Sequence, residues 1–401
     1  MELVEKVQKI IDAAVKNKEV AGVNVLILDH GKEILYAESG LADIEQKRPL
    51  KRDAIFRMFS MSKPITSVGA MILVERGILD PLQPVSDYLP AYKELKYFDN
   101  GETKSVPQPM MIRDLLNMTA GLSYPDGSTA TGIFTANLFD ELESRLNTEN
   151  EMTTRELADR LADIPLAYAP GTGYRYSTCA DVLGAVIEVA AGKKFSEYLA
   201  DEIFKPLGMK DTGFYIPSEK LSRRVEGYRT VTDENGVSSF QPYDWNNLGI
   251  KNRADSKPAF ESGGAGIVST IDDYARFASM LIGQGTLVTD EGTVQILKPE
   301  TVRYMTGHRL SGKLQSEFNR MMFGYEGYTY SNLLRICTDE NETGMICSNG
   351  EYGWDGWLGT YFENLPHDGI TILMGTQKVD AGTFTLTRRV RNAVLSELLH
   401  K

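Results

Sequence analysis

Apolar side chains recur at helical spacing along residues 3–15, where Leu3, Val4, Val7, Ile10, Ile11 and Val15 predict an amphipathic helix. The period then changes. Val23–Leu28 and Glu33–Ala37 run apolar or alternate on either side of His30 and Gly31, which predicts a β-hairpin. A polar connection over residues 41–55 leads to Phe56–Glu75, FRMFSMSKPITSVGAMILVE, apolar on nearly every side and predicted to be a buried helix. From there to about Leu207 the pattern is mainly helical. Ile112–Met118, Thr153–Ala162 and Val182–Ala191 are predicted helices, and Thr119–Gly127 a loop. Residues 120–150 have weak periodicity and are expected to form loops and short helices over a site.

Strand signals return in the last third of the chain. Gly263–Thr270 reads as a glycine turn into a strand, and Ile271–Ile282 as a helix whose first turn carries Asp272 and Asp273. Gly324–Ser331, Trp357–Glu363 and Ile370–Thr376 are predicted strands, the last two joined by a turn at Pro366–Gly369, and Phe384–His400 is a closing helix. Strands at both ends with helices between them imply one sheet assembled from distant segments.

Composition narrows the partners. The chain has 401 residues, 42% apolar and 24% charged, with a net charge of −12, which disfavours nucleic acid or anionic membrane as a partner. No window reaches the roughly 18 apolar residues of a membrane span, and the N-terminus lacks the features of a signal peptide. Cys179, Cys337 and Cys347 have no metal-like spacing against the four histidines, so reduced thiols, a cytoplasmic location and neither metal nor cofactor are expected.

The candidate chemistry lies in the apolar stretch beginning at Phe56. Ser60 and Lys63 share a helix face there, and this Ser-x-x-Lys spacing occurs once in the chain. A serine hydroxyl needs a proton acceptor to become a nucleophile, and a lysine amine serves if apolar surroundings lower its pKa. Phe56, Met58, Phe59, Met61 and Ile65 provide such surroundings, and Pro64 is tolerated in a first helical turn.

The run FRMFSMSKPITSVGAMILVERGILDPLQPVSDYLP strongly resembles the nucleophile region of the serine β-lactamase-like superfamily, which holds class C β-lactamases, D,D-peptidases and esterases. The resemblance implies an α+β fold: an antiparallel sheet flanked by the N- and C-terminal helices, with an inserted, mainly helical domain. The sheet domain would comprise residues 1–55 and 255–401, and the helical domain 56–254. It also implies that Ser60 is acylated and that Lys63 takes its proton. The loop-to-helix run APGTGYRYSTCADVLGAVIEVAAG resembles the family's tyrosine loop and makes Tyr176 the second acid or base, with a pKa that a nearby ammonium would lower. Thr178 stands where asparagine is more familiar and is assigned to substrate binding.

No Lys-Thr-Gly is present, and Trp354-Asp355-Gly356 takes its place, similar to the Trp-x-Gly of the esterase branch. By the same resemblance the backbone N–H groups of Ser60 and Trp357 form an oxyanion hole. Tyr124, Trp245 and Trp357 are expected either to line an apolar substrate pocket or to pack in the core. Three competing motifs fail. Glu143-Ser144-Arg145-Leu146-Asn147 lacks its companion Ser-Asp-Asn, and Tyr330-Ser331-Asn332 is followed by no helix. No Gly-x-Ser-x-Gly elbow accompanies His30, His308, His367 or His400. The expectation is a serine hydrolase for small acyl esters. A β-lactamase or D-amino-acid peptidase, an acyltransferase and a non-catalytic binding protein of the same fold remain as alternatives.

Overall fold

The hairpin around His30 and Gly31 sits inside the main sheet of the computed structural model, which describes residues 2–290, 292–379 and 384–399. β1 (Gly22–Asp29) pairs antiparallel with β2 (Lys32–Asp43), and β3 (Arg48–Pro49) closes that edge. Downstream come β4 (Phe56–Arg57), the hairpins β5–β6 (Lys96–Asp99, Glu102–Ser105) and β7–β8 (Gly227–Thr232, Ser238–Tyr243), β9 (Val268–Ser269), which pairs with β4, and the hairpin β10–β11 (Thr286–Thr289, Gly292–Gln295). The C-terminal third supplies β12 (Tyr328–Ser331), β13 (Leu334–Cys337), β14 (Tyr352–Asp355), β15 (Tyr361–Leu365) and β16 (Ile370–Thr376). These join β1–β3 in an eight-stranded antiparallel sheet of order β12-β13-β14-β15-β16-β1-β2-β3, so both ends of the chain meet at β1 and β16.

The alternation along β1 explains the layers. Val23, Val25 and Ile27 face helix α1 (Leu3–Lys16) and the closing helix Phe384–Leu398, together with Val7, Ile11, Val390 and Val394. Leu26 and Leu28 face the opposite core, with Phe56, Met61, Ile65, Phe362 and Leu373. Each fully buried aliphatic chain contributes about 1.5–3 kcal/mol. Helix α2 (Ser62–Glu75) runs through that second core with every residue from Ser62 to Leu73 buried. It packs on the helix Cys179–Ala191, and Gly69 admits Leu199, whose Cδ2 would lie 2.9 Å from an added Cβ. Among the described residues no helix is long and apolar enough to cross a membrane.

Several predicted elements differ in extent. The apolar stretch from Phe56 is not one helix, because Phe56–Arg57 forms β4, Phe59–Met61 a 3-10 turn, and α2 starts at Ser62. Residues 130–144 form the single helix Ala130–Ser144, where loops and short helices were expected. Its buried face uses Thr131 and Thr135 alongside Leu138, Phe139 and Leu142, so threonines conceal its period. The β5–β6 hairpin interrupts the expected helical region at Asn100-Gly101, with φ of 50° and 84°, the residue pair a tight hairpin requires. Trp357 lies in the turn between β14 and β15, not on a strand, and the closing helix ends at Leu398, with His400 outside the described residues.

Candidate active site

β4 delivers the chain to Ser60. The Met58 N–H donates to the Ile267 carbonyl at 2.9 Å, and then Phe59 adopts φ 44°, a left-handed conformation that costs an ordinary residue about 1–2 kcal/mol. Its buried ring offsets that cost by packing edge-on against Trp357, with centroids 5.2 Å apart, beside Tyr243, Ala265 and Leu358. The reversal puts Ser60 in the 3-10 turn leading into α2, half-buried, with Lys63 in the first turn of that helix.

Lys63 is completely buried. Its Nζ lies 3.2 Å from Ser60 Oγ, 3.0 Å from Tyr124 Oη and 2.9 Å from the Gly264 carbonyl oxygen. Burial lowers its pKa to about 7, against an opposing pull from Asp181, Cys179 and Asp355. A neutral amine has two N–H donors and one lone pair, which fits these three contacts. The Gly264 carbonyl takes one donor and Tyr124 Oη the other, leaving the lone pair for the Ser60 O–H.

The carbonyl reaches Lys63 through a glycine pair. A Cβ at Gly263 would lie 2.3 Å from the Ala180 carbonyl oxygen, and one at Gly264 would lie 2.9 Å from both Asp181 Oδ2 and Tyr124 Oη. Asp181, buried on the helix after the tyrosine loop, accepts hydrogen bonds from the Gly264 N–H and the Ser262 hydroxyl and so holds this turn. Sequence reasoning missed both Asp181 and Gly264. The Gly263-Gly264 pair was the available signal, and it was read only as a turn.

Tyr176 enters from the loop before the helix Cys179–Ala191. Its ring centroid is 4.6 Å from Lys63 Nζ, its hydroxyl accepts from Trp354 Nε1 at 3.1 Å and lies within hydrogen-bonding reach of Ser60. The expected lowering of its pKa is not found. Burial pushes the phenol well above its usual value, and the contacts with Ser60 and the Trp354 indole pull back only in part. Tyr176 therefore stays protonated and faces Ser60 as a proton donor. Tyr330 packs behind it, 5.0 Å from the Trp354 ring, while Ser331 and Asn332 bond Asn117 and Met305 away from the site.

The turn after β14 meets the Ser60 turn closely. A Cβ at Gly356 would lie 2.3 Å from the Met58 carbonyl oxygen and 2.2 Å from Thr360 Oγ1, so glycine is required. That contact sets Trp357 beside Phe59, and neither the Trp357 nor the Ser60 N–H donates to a protein acceptor among the described residues. The other expected pocket residues separate. Tyr124 turns its hydroxyl to Lys63. Asp355 is held by Arg335 at 2.8 Å and by the Tyr325 hydroxyl at 3.2 Å. Trp245 packs edge-on against Tyr243 at the surface, 39% exposed. Thr178 is buried at the start of its helix with no exposed surface. His30 pairs with Asp29, His308 lies at a tilt beside the Tyr304 ring, and neither bonds Ser60 or Lys63. Glu143 accepts from the Gly249 N–H instead of facing Ser60.

A family model described as Beta-lactamase matches residues 7–395. The chain belongs to the Beta-lactamase family. Esterase EstB of Burkholderia gladioli is 32% identical over 285 residues, covering 68% of this chain and 69% of EstB. Monacolin J acid methylbutanoyltransferase of Aspergillus terreus is 27% identical over 323 residues, covering 77% and 72%. The solved structure of EstCE1, described as a hydrolase with promiscuous acyltransferase activity, superposes with a TM-score of 0.79 at 26% identity and covers 98% of both chains. The fold is thus β-lactamase/transpeptidase-like, and the family is one of serine hydrolases with esterase and acyltransferase members.

Proposed function

We propose that this Beta-lactamase family protein hydrolyses small carboxylic esters through an acyl-enzyme on Ser60. The observation that carries the proposal is Lys63: an amine buried among neutral partners, with its pKa near 7, within reach of the Ser60 hydroxyl. Ser60 Oγ attacks the ester carbonyl carbon as its proton passes to Lys63 Nζ. The carbonyl oxygen becomes an oxyanion facing the N–H groups of Ser60 and Trp357, each worth a few kcal/mol in the transition state. Tyr176 gives its proton to the departing alkoxide and is reprotonated from Lys63. Water then attacks the acyl group by the reverse relay, releasing the acid and Ser60.

The preference for esters rests on β14. Where a Lys-Thr-Gly strand would offer an ammonium to a substrate carboxylate, this strand presents the Trp354 indole, engaged by Tyr176, and the Asp355 carboxylate. Arg335 is committed to Asp355 and is buried. Among the described residues, an anionic β-lactam or peptide terminus meets no free cation on this strand. Acyl transfer to an alcohol is the second reading, favoured by the full-length likeness to EstCE1.

The test is a panel of p-nitrophenyl esters and a chromogenic cephalosporin, with and without an added alcohol, on wild type and Ser60→Ala. Ester turnover above cephalosporin turnover, lost in Ser60→Ala, is expected. Turnover surviving in Ser60→Ala contradicts the nucleophile, and cephalosporin turnover far above ester turnover contradicts the substrate class.

A further inference from the structure

Two of the three cysteines meet at the connection between β13 and β14. Cys337 ends β13 and is buried, and Cys347 lies in the connection to β14 over residues 338–351. The backbone closes this connection at its base: the Cys337 N–H donates to the Glu351 carbonyl at 2.8 Å and the Gly350 N–H to the Cys337 carbonyl at 2.9 Å. Inside it the two thiols hydrogen-bond each other, and Cys347 Sγ lies 3.0 Å from Thr343 Oγ1. Cys347 also lines an open cleft of about 360 Å³ with Met345, Ile346, Leu395 and Leu399, whereas the buried Cys337 does not reach it. A small solute thus has access to Cys347, whose side chain has Cys337 as its neighbour.

We propose that Cys337 and Cys347 are a reversible thiol–disulfide pair, oxidised by a small soluble disulfide such as oxidised glutathione. The Cys347 thiolate attacks one sulfur of the disulfide, whose S–S bond breaks; a mixed disulfide forms on Cys347 and one glutathione thiolate leaves. The Cys337 thiolate then attacks Cys347 Sγ, forming the protein disulfide and releasing the second glutathione thiolate. Two electrons pass from the protein to the oxidant, and the two protons lost by the cysteines are taken up by the departing thiolates.

The hydrogen bond from the Cys337 thiol lowers the Cys347 thiol to about 7, with Thr343 and Arg391 acting in the same sense against its burial. The remaining cysteine, Cys179, is completely buried and its thiol is pushed up to about 12 by burial, so it is excluded from the exchange. The product would close the connection against β13, immediately before the strand that carries Trp354.

Thiol chemistry provides a readout independent of any substrate. The native protein is incubated with oxidised glutathione, and free thiols are then alkylated in denaturant and counted by intact mass. Wild type is expected to lose two of its three alkylatable thiols with no glutathione retained, and to regain them in dithiothreitol. Cys347→Ser should keep its remaining thiols free, and Cys337→Ser should retain one glutathionyl group on Cys347. A stable glutathione adduct on wild type, or thiol loss undiminished in Cys347→Ser, would overturn the proposal.

Discussion

Lys63 and the pair Arg335 and Arg391 are all cations carried into the interior, with opposite outcomes. Lys63 is met by two hydroxyls and a carbonyl, and burial brings its pKa down to about 7. Burial also pulls on the two guanidiniums, yet they are held well above their usual value. Arg335 has Asp355, Tyr325 and Tyr361 around it, and Arg391 has Glu351 at 2.8 Å and Glu363 at 2.6 Å. Arg57, buried among the carbonyls of Asn252 and Val225 and the Gln377 amide, falls to about 10 and stays charged. Burial without a carboxylate partner turns a lysine into a base, whereas burial with one turns an arginine into a structural tie.

The largest expected break in this comparison is Lys63→Met. Without the amine, ester turnover should fall at least about a thousandfold in kcat while the far-ultraviolet circular dichroism is unchanged. Stability should rise on the order of 1–3 kcal/mol at pH 7, because the unfolded chain no longer gives up a protonated amine on folding. The sign follows from proton counts. Between pH about 7 and 10.5 the unfolded lysine holds a proton that the folded one has released, so wild-type stability climbs with pH there. In the variant that climb should be absent from chemical unfolding curves.

Glu363→Gln tests the other member. It leaves Arg335 and Arg391 sharing fewer negative partners in the sheet, and urea unfolding should show a loss of about 3–5 kcal/mol with kcat of the surviving folded fraction little changed. The smallest effect belongs to Tyr124→Phe. It removes one contact to Lys63, about 1 kcal/mol, so kcat/KM should fall roughly five- to tenfold without a change in melting temperature beyond a few degrees.

The same contrast shows what was legible in the sequence. Ser60 and Lys63 were visible because a helical turn is a local spacing, and β16 and the helix Ile271–Ile282 because their periods are unbroken. Tyr176 was visible through its loop, but its protonation state was not, since that depends on burial supplied by Trp354, Tyr330 and Tyr124 from distant segments. Gly264 and Asp181 were missed because their roles lie in a backbone carbonyl and in what holds it, and neither leaves a motif. The start of α2 was misplaced because a left-handed Phe59 is not written in an apolar run.

The central claim is that Lys63 is a neutral amine at the pH of catalysis. Its Nζ ionisation can be followed directly by NMR of protein carrying labelled lysine, assigned by its absence in Lys63→Met. A midpoint near 7, matching the pH at which ester turnover rises to its plateau, is predicted. A midpoint near the ordinary lysine value of about 10.4 would contradict the account.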